Sequence, residues 1–257
     1  WELVKRLGII PYLEQEQQAG RIRNLGFSFH DEYEVFEEIL TARDWDFCQI
    51  QLNYMDVEHQ QGIRGYYLAQ ERGVPIVIME PNKGGALANL PADIESIFRA
   101  YDPDASMASW AFRWIASLSN VKVVLSGMTT MAQVVDNLSV FHAFKPLNHR
   151  ESILVEEAAK AIRAKTKNGC TGCNYCMPCP FGVDIPRNLK IWNTYAMYEN
   201  KEQAANGFQS LDRSNAFASV CKKCGACENK CPQHLPIRAH LEQVAMDRKA
   251  WGIDEQE

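Results

Sequence analysis

The chain has 257 residues, 46% hydrophobic and 23% charged, with a formal net charge of −5. These are the proportions of an ordinary soluble protein of one or two domains. The acidic balance argues against a general nucleic-acid binder, and no apolar run is long enough to span a bilayer, so neither nucleic acid nor membrane is an expected partner.

The first residue is Trp1 rather than Met. The chain is therefore expected to begin inside a longer reading frame or to have lost its start. No signal peptide or lipidation motif is visible, and a cytoplasmic location is expected. Residues 1–145 alternate helix-like and strand-like segments. Glu2 to Gln18 reads as one helix with Gly20 as its stop. Ile22 to Phe29 is a short apolar strand. Asp31 and Glu34 have capping-box spacing ahead of Val35, Phe36, Ile39 and Leu40, which recur at helical intervals. Phe47 to Tyr54 alternates: Cys48, Ile50, Leu52 and Tyr54 on one side, Gln49, Gln51 and Asn53 on the other. Gly62 to Glu71 is helical. Pro75 to Met79 is an apolar strand followed by the loop Pro-Asn-Lys-Gly-Gly. Met107, Trp110, Ala111, Trp114, Ile115 and Leu118 keep a period of 3.6, which reads as a core stripe. Val121 to Leu125 is the last strand, and Thr130 with Gln133 caps a helix carrying Val134, Val135, Leu138 and Phe141.

Strand–helix alternation at this spacing predicts a parallel α/β architecture. An open sheet covered on both faces has strands that are apolar throughout. The polar side of Phe47–Tyr54 instead predicts a lumen, and so a barrel. Polar residues also gather where strands end, among them Ser28, His30, Asn53, Glu80, Asn82 and Ser126, which is the functional end of a (β/α)8 barrel. Cys48, on the apolar side, reads as a packing residue.

After residue 145 the character changes. Residues 146–168, charged and helix-prone, are expected to link the barrel to a second domain at 169–257. That domain opens with CTGCNYCMPCP and, about forty residues on, repeats CKKCGACENKCP. Eight of the nine cysteines stand here, in two groups of four, each closing on Cys-Pro.

Cys170, Cys173 and Cys176 are three apart, as are Cys221, Cys224 and Cys227. Three thiolates at that interval on a tight loop can each hold one iron of a cubane, and the fourth iron needs a thiolate from elsewhere. In two-cluster ferredoxins the fourth Cys of each run serves the other cluster. On that rule Cys170, Cys173, Cys176 and Cys231 hold one 4Fe–4S cluster, and Cys221, Cys224, Cys227 and Cys179 the second. The first run has two residues before its last Cys where the second has three, which leaves open which cluster Cys179 serves. Two zinc ions would leave the third Cys of each triplet without a role. Disulfides are disfavoured in a reducing compartment. The runs also repeat beyond their ligands: Val183, Ile185 and Leu189 align with Leu235, Ile237 and Leu241, as in a duplicated unit. Amphipathic helices after each run predict an all-α ferredoxin-like fold that shields the clusters from water.

With these residues in view a resemblance emerges. GRIRNLGFSFHD, DFCQIQLNYMD, GVPIVIMEPNKGGAL and VVLSGMTTMAQVVDNL resemble, in order, the fifth to eighth strands of the aldo/keto reductases. The cysteine region resembles the ferredoxin-like module of a subfamily in which it follows the barrel. The fold expected is thus α/β, the last four strand–helix units of a (β/α)8 TIM barrel, followed by the all-α iron–sulfur domain.

The resemblance implies that the family's catalytic Asp, Tyr, Lys and His lie ahead of Trp1, so no residue here is assigned a catalytic role. His30 follows a strand but does not match the family's catalytic His. It also implies a nicotinamide dinucleotide lying across the later strands. Ser28 and Gln51 would hold the carboxamide. Phe29 stands where the family often has Asn. The loop Pro81–Gly85, including Asn82 and Gly84, would pass under the pyrophosphate. Gly127 to Asn137 would surround the adenosine, with Asn137 on the adenine. Relatives preferring the 2′-phosphate carry Lys at Gly127 and Arg at Gln133, so NAD(H) is expected over NADP(H). Three functions stand open: an iron–sulfur oxidoreductase that exchanges electrons with a redox partner protein and acts on a small-molecule substrate; an NAD-dependent carbonyl reductase with structural or sensing clusters; and a non-catalytic electron-carrier fragment.

Overall fold

The computed structural model describes residues 1–253. Residues 254–257 of the expected second domain lie outside the described residues. The chain divides into two compact units: residues 1–88 with 95–159, and residues 89–94 with 160–253.

The first unit is built on a four-stranded, all-parallel sheet. Its elements are α1 (Glu2–Arg6), α2 (Ile9–Gln18), β1 (Gly26–Ser28), α3 (Tyr33–Thr41), β2 (Phe47–Gln51), α4 (Gly62–Glu71) and β3 (Ile76–Met79). They continue with α5 (Ala92–Arg99, of which residues 95–99 belong to this unit), α6 (Met107–Ala116), β4 (Val121–Val124), α7 (Met131–His142) and α8 (His149–Ala164, of which residues 149–159 do). The strands lie in sequence order, β1-β2-β3-β4, with no reversal. A doubly wound sheet reverses its order where it binds its ligand; an unreversed order is that of a barrel wall.

One face of this wall is packed. Cys48, Ile50, Ile76 and Ile78 are completely buried beneath Phe36 and Leu40 of α3, Tyr66 and Ala69 of α4, and Ile115 of α6. Burial pushes the Cys48 thiol up to about 12, as expected of a sulfur sealed in a core. The other face carries Ser28, Gln49, Gln51, Val77, Met79 and Val123, brought into line by the register Ser28↔Gln49, Gln51↔Met79 and Val77↔Val123. It is open: Val123 is 46% and Leu125 41% exposed. A packed outer face and a bare, partly polar inner face make this a partial (β/α) barrel.

Two local expectations shift and a third holds. The single helix expected over Glu2–Gln18 is two, because Gly8 adopts φ 63°, a left-handed turn open to glycine. The Asp31/Glu34 capping box does not form: α3 starts one residue later, its N-cap is Glu32, and the Asp31 carboxylate accepts the Glu32 amide at 2.8 Å. The Thr130/Gln133 box does form on α7. No residue of that helix is buried, however, and Leu138 is 62% exposed.

The second unit is helical: α9 (Ile185–Tyr198), α10 (Lys201–Arg213) and α11 (Ile237–Ala250). Asp184 caps α9 by accepting the Arg187 amide, and Pro186 occupies its first turn. Of the repeated positions, Val183, Ile185, Leu189, Ile237 and Leu241 are buried in one core with Trp192, Phe208, Leu211 and Val244, whereas Leu235, the counterpart of Val183, is only partly buried against it. α9 and α11 each begin at the equivalent isoleucine. The Trp192 indole donates to Asp247 at 2.7 Å and fastens one to the other.

Candidate functional site

The inner end of the sheet carries the first site. A cleft of about 1400 Å³, its open mouth included, is lined by Met79 to Asn82, Gly84, Gly85 and Ala88 on one side and by Leu125 to Met128, Gln133, Asp136 and Asn137 on the other, with Ala108. It therefore brings together Asn82, Gly84, Gly127 and Asn137. The loop that forms its floor turns through positive φ at Glu80, Lys83, Gly84 and Gly85. At Gly127 a Cβ would meet nothing within 4 Å, so the backbone there is bare to the cleft. Asn137 lies inside α7 and donates from Nδ2 to Ser126 Oγ at 2.9 Å. Asp136 accepts from Ser106 Oγ at 2.7 Å, and Ser106 also caps α6.

Ser28 and Gln51 do not line this cleft. They share the bare sheet face, where Ser28 Oγ accepts from Gln49 at 3.5 Å and Gln51 donates to Asp56 at 3.3 Å. His30 is exposed, with Nδ1 3.4 Å from the Gln60 amide nitrogen.

Behind the loop sits a polar knot. Lys83 Nζ contacts both Asp56 oxygens at 2.5 and 2.6 Å. Asn53, 1% exposed, donates to Asp56 and to the Glu80 carbonyl and accepts the amides of Met55 and Asp56. Burial alone would raise the Asp56 carboxyl; the Lys83 ammonium and Asn53 outweigh it and hold that group below the usual carboxylate range. Asn53, expected to point into a lumen, instead ties the end of β2 to the loop after β3.

A dinucleotide fits the cleft in two respects. Asn82 Oδ1 is buried with no partner among the described residues, a polar atom that a bound amide or hydroxyl would satisfy. The glycine backbone permits close approach. The lining includes the carboxylates Glu80 and Asp136 but no Lys or Arg.

The second unit holds two smaller cavities, and the eight cysteines divide between them. One, about 330 Å³, is lined by Cys170, Cys173, Cys176 and Cys231 with Ile185, Leu189, Leu235 and Ile237. The other, about 440 Å³, is lined by Cys221, Cys224, Cys227 and Cys179, with Cys176 also at its wall. Each cavity thus takes its fourth thiol from the other run. All eight are free thiols; Cys173 and Cys224 are exposed, and the other six pack half-buried against the core. Burial pushes the Cys176 thiol up to about 11 and raises Cys227 as well. Among the described residues no three Cys, His, Asp or Glu side chains converge as the ligands of a single ion would.

The donor set fits a 4Fe–4S cluster in each cavity: four thiols around a rim, an apolar floor and one open side. Such a group would bind these sulfurs as thiolates, which burial alone disfavours. The Lys223 amide donates to Cys221 Sγ at 3.4 Å, a contact of the kind that tunes cluster potential.

Several positioning residues escaped the sequence reading. Asn168 accepts the Cys170 amide at 3.1 Å and is itself bonded to Asn193 and to the Leu189 carbonyl. Asn188, fully buried, donates to the carbonyls of Asp184 and Ala216 and accepts the Ala218 amide. They anchor both cysteine runs on α9. Their only sequence signal is that Asn188 falls on the stripe of Ile185, Leu189 and Trp192 that α9 buries.

The aldo/keto reductase family matches residues 4–160, and the 4Fe–4S dicluster domain matches residues 169–236. Among solved structures, the aldo-keto reductase AKR11C1 from Bacillus halodurans is similar in its holo form, at 24% identity over 58% of this chain and 54% of that one, with a TM-score of 0.49. Its apo form matches at 22% identity over 58% and 55%, with a TM-score of 0.47. The chain spans about half the length of these structures. No curated protein matches it.

Proposed function

Because this chain belongs to the aldo/keto reductase family, we propose that it is the cofactor-binding half and the electron-transfer module of an iron–sulfur oxidoreductase. The barrel portion binds nicotinamide dinucleotide in the cleft after β3 and β4. Asn82, Gly84, Gly127 and Asn137 line its path, and Ser28 and Gln51 face the nicotinamide end. The eight cysteines hold two 4Fe–4S clusters, which supply one-electron transfer to or from a partner protein. The observation that carries this reading is the crossing of the last thiols: Cys231 lines the cavity of Cys170, Cys173 and Cys176, and Cys179 that of Cys221, Cys224 and Cys227, with Cys176 at the wall of both.

NAD(H) is the expected dinucleotide. A 2′-phosphate needs cationic partners, and the cleft offers Glu80 and Asp136 instead. Lys83, the nearby cation on the same loop, is engaged by Asp56. Adding charge, with Gly127→Lys and Gln133→Arg, should shift relative affinity towards NADPH by about tenfold or more, read by fluorescence titration against both nucleotides. Unchanged relative affinity would remove the cleft as the adenosine site.

A nicotinamide moves a hydride and each cluster one electron, and joining the two needs a two-to-one-electron splitter such as a flavin. That mismatch favours a second reading, in which the clusters are structural and the barrel acts alone as a carbonyl reductase. Freeze-quench EPR during anaerobic turnover of the complete protein separates the two. Clusters that change oxidation state support electron transfer, and clusters that never do support the structural role.

A further inference from the structure

The two cysteine cavities differ in charge. The one closed by Cys231 has no charged residue in its lining. The one closed by Cys179 is ringed by Lys222, Lys230 and Arg238, with no carboxylate among its lining residues. Arg238 is paired with Glu228. Lys222 and Lys230 are exposed and form no ion pair among the described residues. Phe181, on the same rim, is 44% exposed. The arrangement has the anatomy of a docking patch, an apolar centre with a polar rim. It is locally cationic in a chain whose formal net charge is −5.

We propose that this rim, Lys222 and Lys230 around Phe181, is the docking surface for an acidic one-electron carrier protein, and that the cavity it surrounds is the chain's electron port. The inference rests on the electron-transfer reading above. Unpaired cations steer an oppositely charged partner during encounter. The exposed Cys224 beneath them shortens the path to the carrier. The exchange moves one electron: a reduced carrier is oxidised as the centre held by Cys179, Cys221, Cys224 and Cys227 is reduced, or the reverse, with no atom transferred. The other cavity, with its uncharged lining, has no such attraction for an acidic surface.

The test uses the full chain, purified anaerobically and assayed for iron, with a dithionite-reduced acidic 2Fe–2S ferredoxin as the probe. Stopped-flow absorbance follows electron exchange across a range of salt. The wild-type rate should fall steeply with salt. Lys222→Glu with Lys230→Glu should lower it about tenfold or more at low ionic strength. Lys160→Glu with Lys190→Glu makes the same charge change at residues that line neither cavity, and should leave the rate within about twofold. Should the reversed pair lose iron, Lys222→Gln with Lys230→Gln is read instead, with a smaller loss in the same direction. Exchange that ignores salt and rim charge, or that falls equally in both double variants, overturns the docking surface and leaves the electron-transfer reading standing. A wild-type chain without iron, or with clusters that exchange no electrons, overturns both.

Discussion

Asn188 shows how much a single polar residue can hold. Its amide satisfies two carbonyls and one amide in the core of the helical unit. Asn188→Leu keeps the approximate volume but strands the Ala218 amide, which costs about 1–3 kcal/mol when buried and unpaired; the Asp184 and Ala216 carbonyls keep the backbone amides of Asn188 and Asp184. A loss of about 1–3 kcal/mol in that unit is expected, read from urea midpoints of the cluster-loaded chain. Asp56 makes a prediction about acid. Its folded pKa lies below the unfolded one, so the stability it contributes is fully present above the ordinary carboxylate value, about 4. It is lost as pH falls through the lower folded value. Asp56→Asn should cost about 1–2 kcal/mol, kept modest because Lys83 is partly exposed. The gap from wild type should hold between pH 5 and 8 and close on acidification below about pH 4. A gap that widened in acid would contradict the assigned shift. Neither residue's role was legible in the sequence. An Asn inside a helix and an Asp in a loop take their meaning from distant partners. The cysteines were legible, because a ligand triplet is local and keeps its spacing in any fold.

Among the elements, β2 was read most fully. The alternation through β2 and just beyond it put Cys48, Ile50 and Leu52 on the buried side, and all three have no exposed surface; Asn53, put on the opposite side, is buried as well, past the end of the strand. Helix starts were less regular. The Thr130/Gln133 box forms because Thr130 takes the extended backbone of an N-cap. The Asp31/Glu34 pair has the same spacing but stands one residue out of frame. Gly8 split a helix whose periodicity ran straight through it, because side-chain pattern does not report a left-handed glycine. The cysteine runs carry the element-scale prediction. Cys231→Ser removes a thiol from the cavity of Cys170, Cys173 and Cys176, although it lies in the other run. Iron should fall from about eight to about four per chain. The surviving centre should retain Cys221, Cys224 and Cys227, which remain resistant to alkylation while Cys170 and Cys173 become reactive. Reactivity in the Cys221 run instead would mean that each run serves its own cluster.

At the scale of the whole molecule, the chain joins two units with separate cores and separate chemistry. The barrel unit keeps a bare inner face; its parallel strands were readable from the alternation of elements, and their order from the resemblance to four successive barrel strands. That the sheet comprises four strands followed from counting strand segments, and its polar inner face from a single strand. The helical unit leans on its thiols: six of the eight pack against its core. Removing iron with an anaerobic chelator should therefore expose the amides of α9 and α11 to hydrogen exchange and leave those of β2 and β3 protected. Equal loss in both units would mean that the barrel unit depends on the clusters too.

What the eight thiols hold decides the chemistry of the helical unit. Iron and acid-labile sulfide, counted on anaerobically purified protein and joined to EPR after dithionite reduction, test that directly. About eight of each per chain, with a spectrum broadened by coupling between two reduced centres, is the predicted result. Zinc in place of iron, or about four irons with one uncoupled signal, would contradict it.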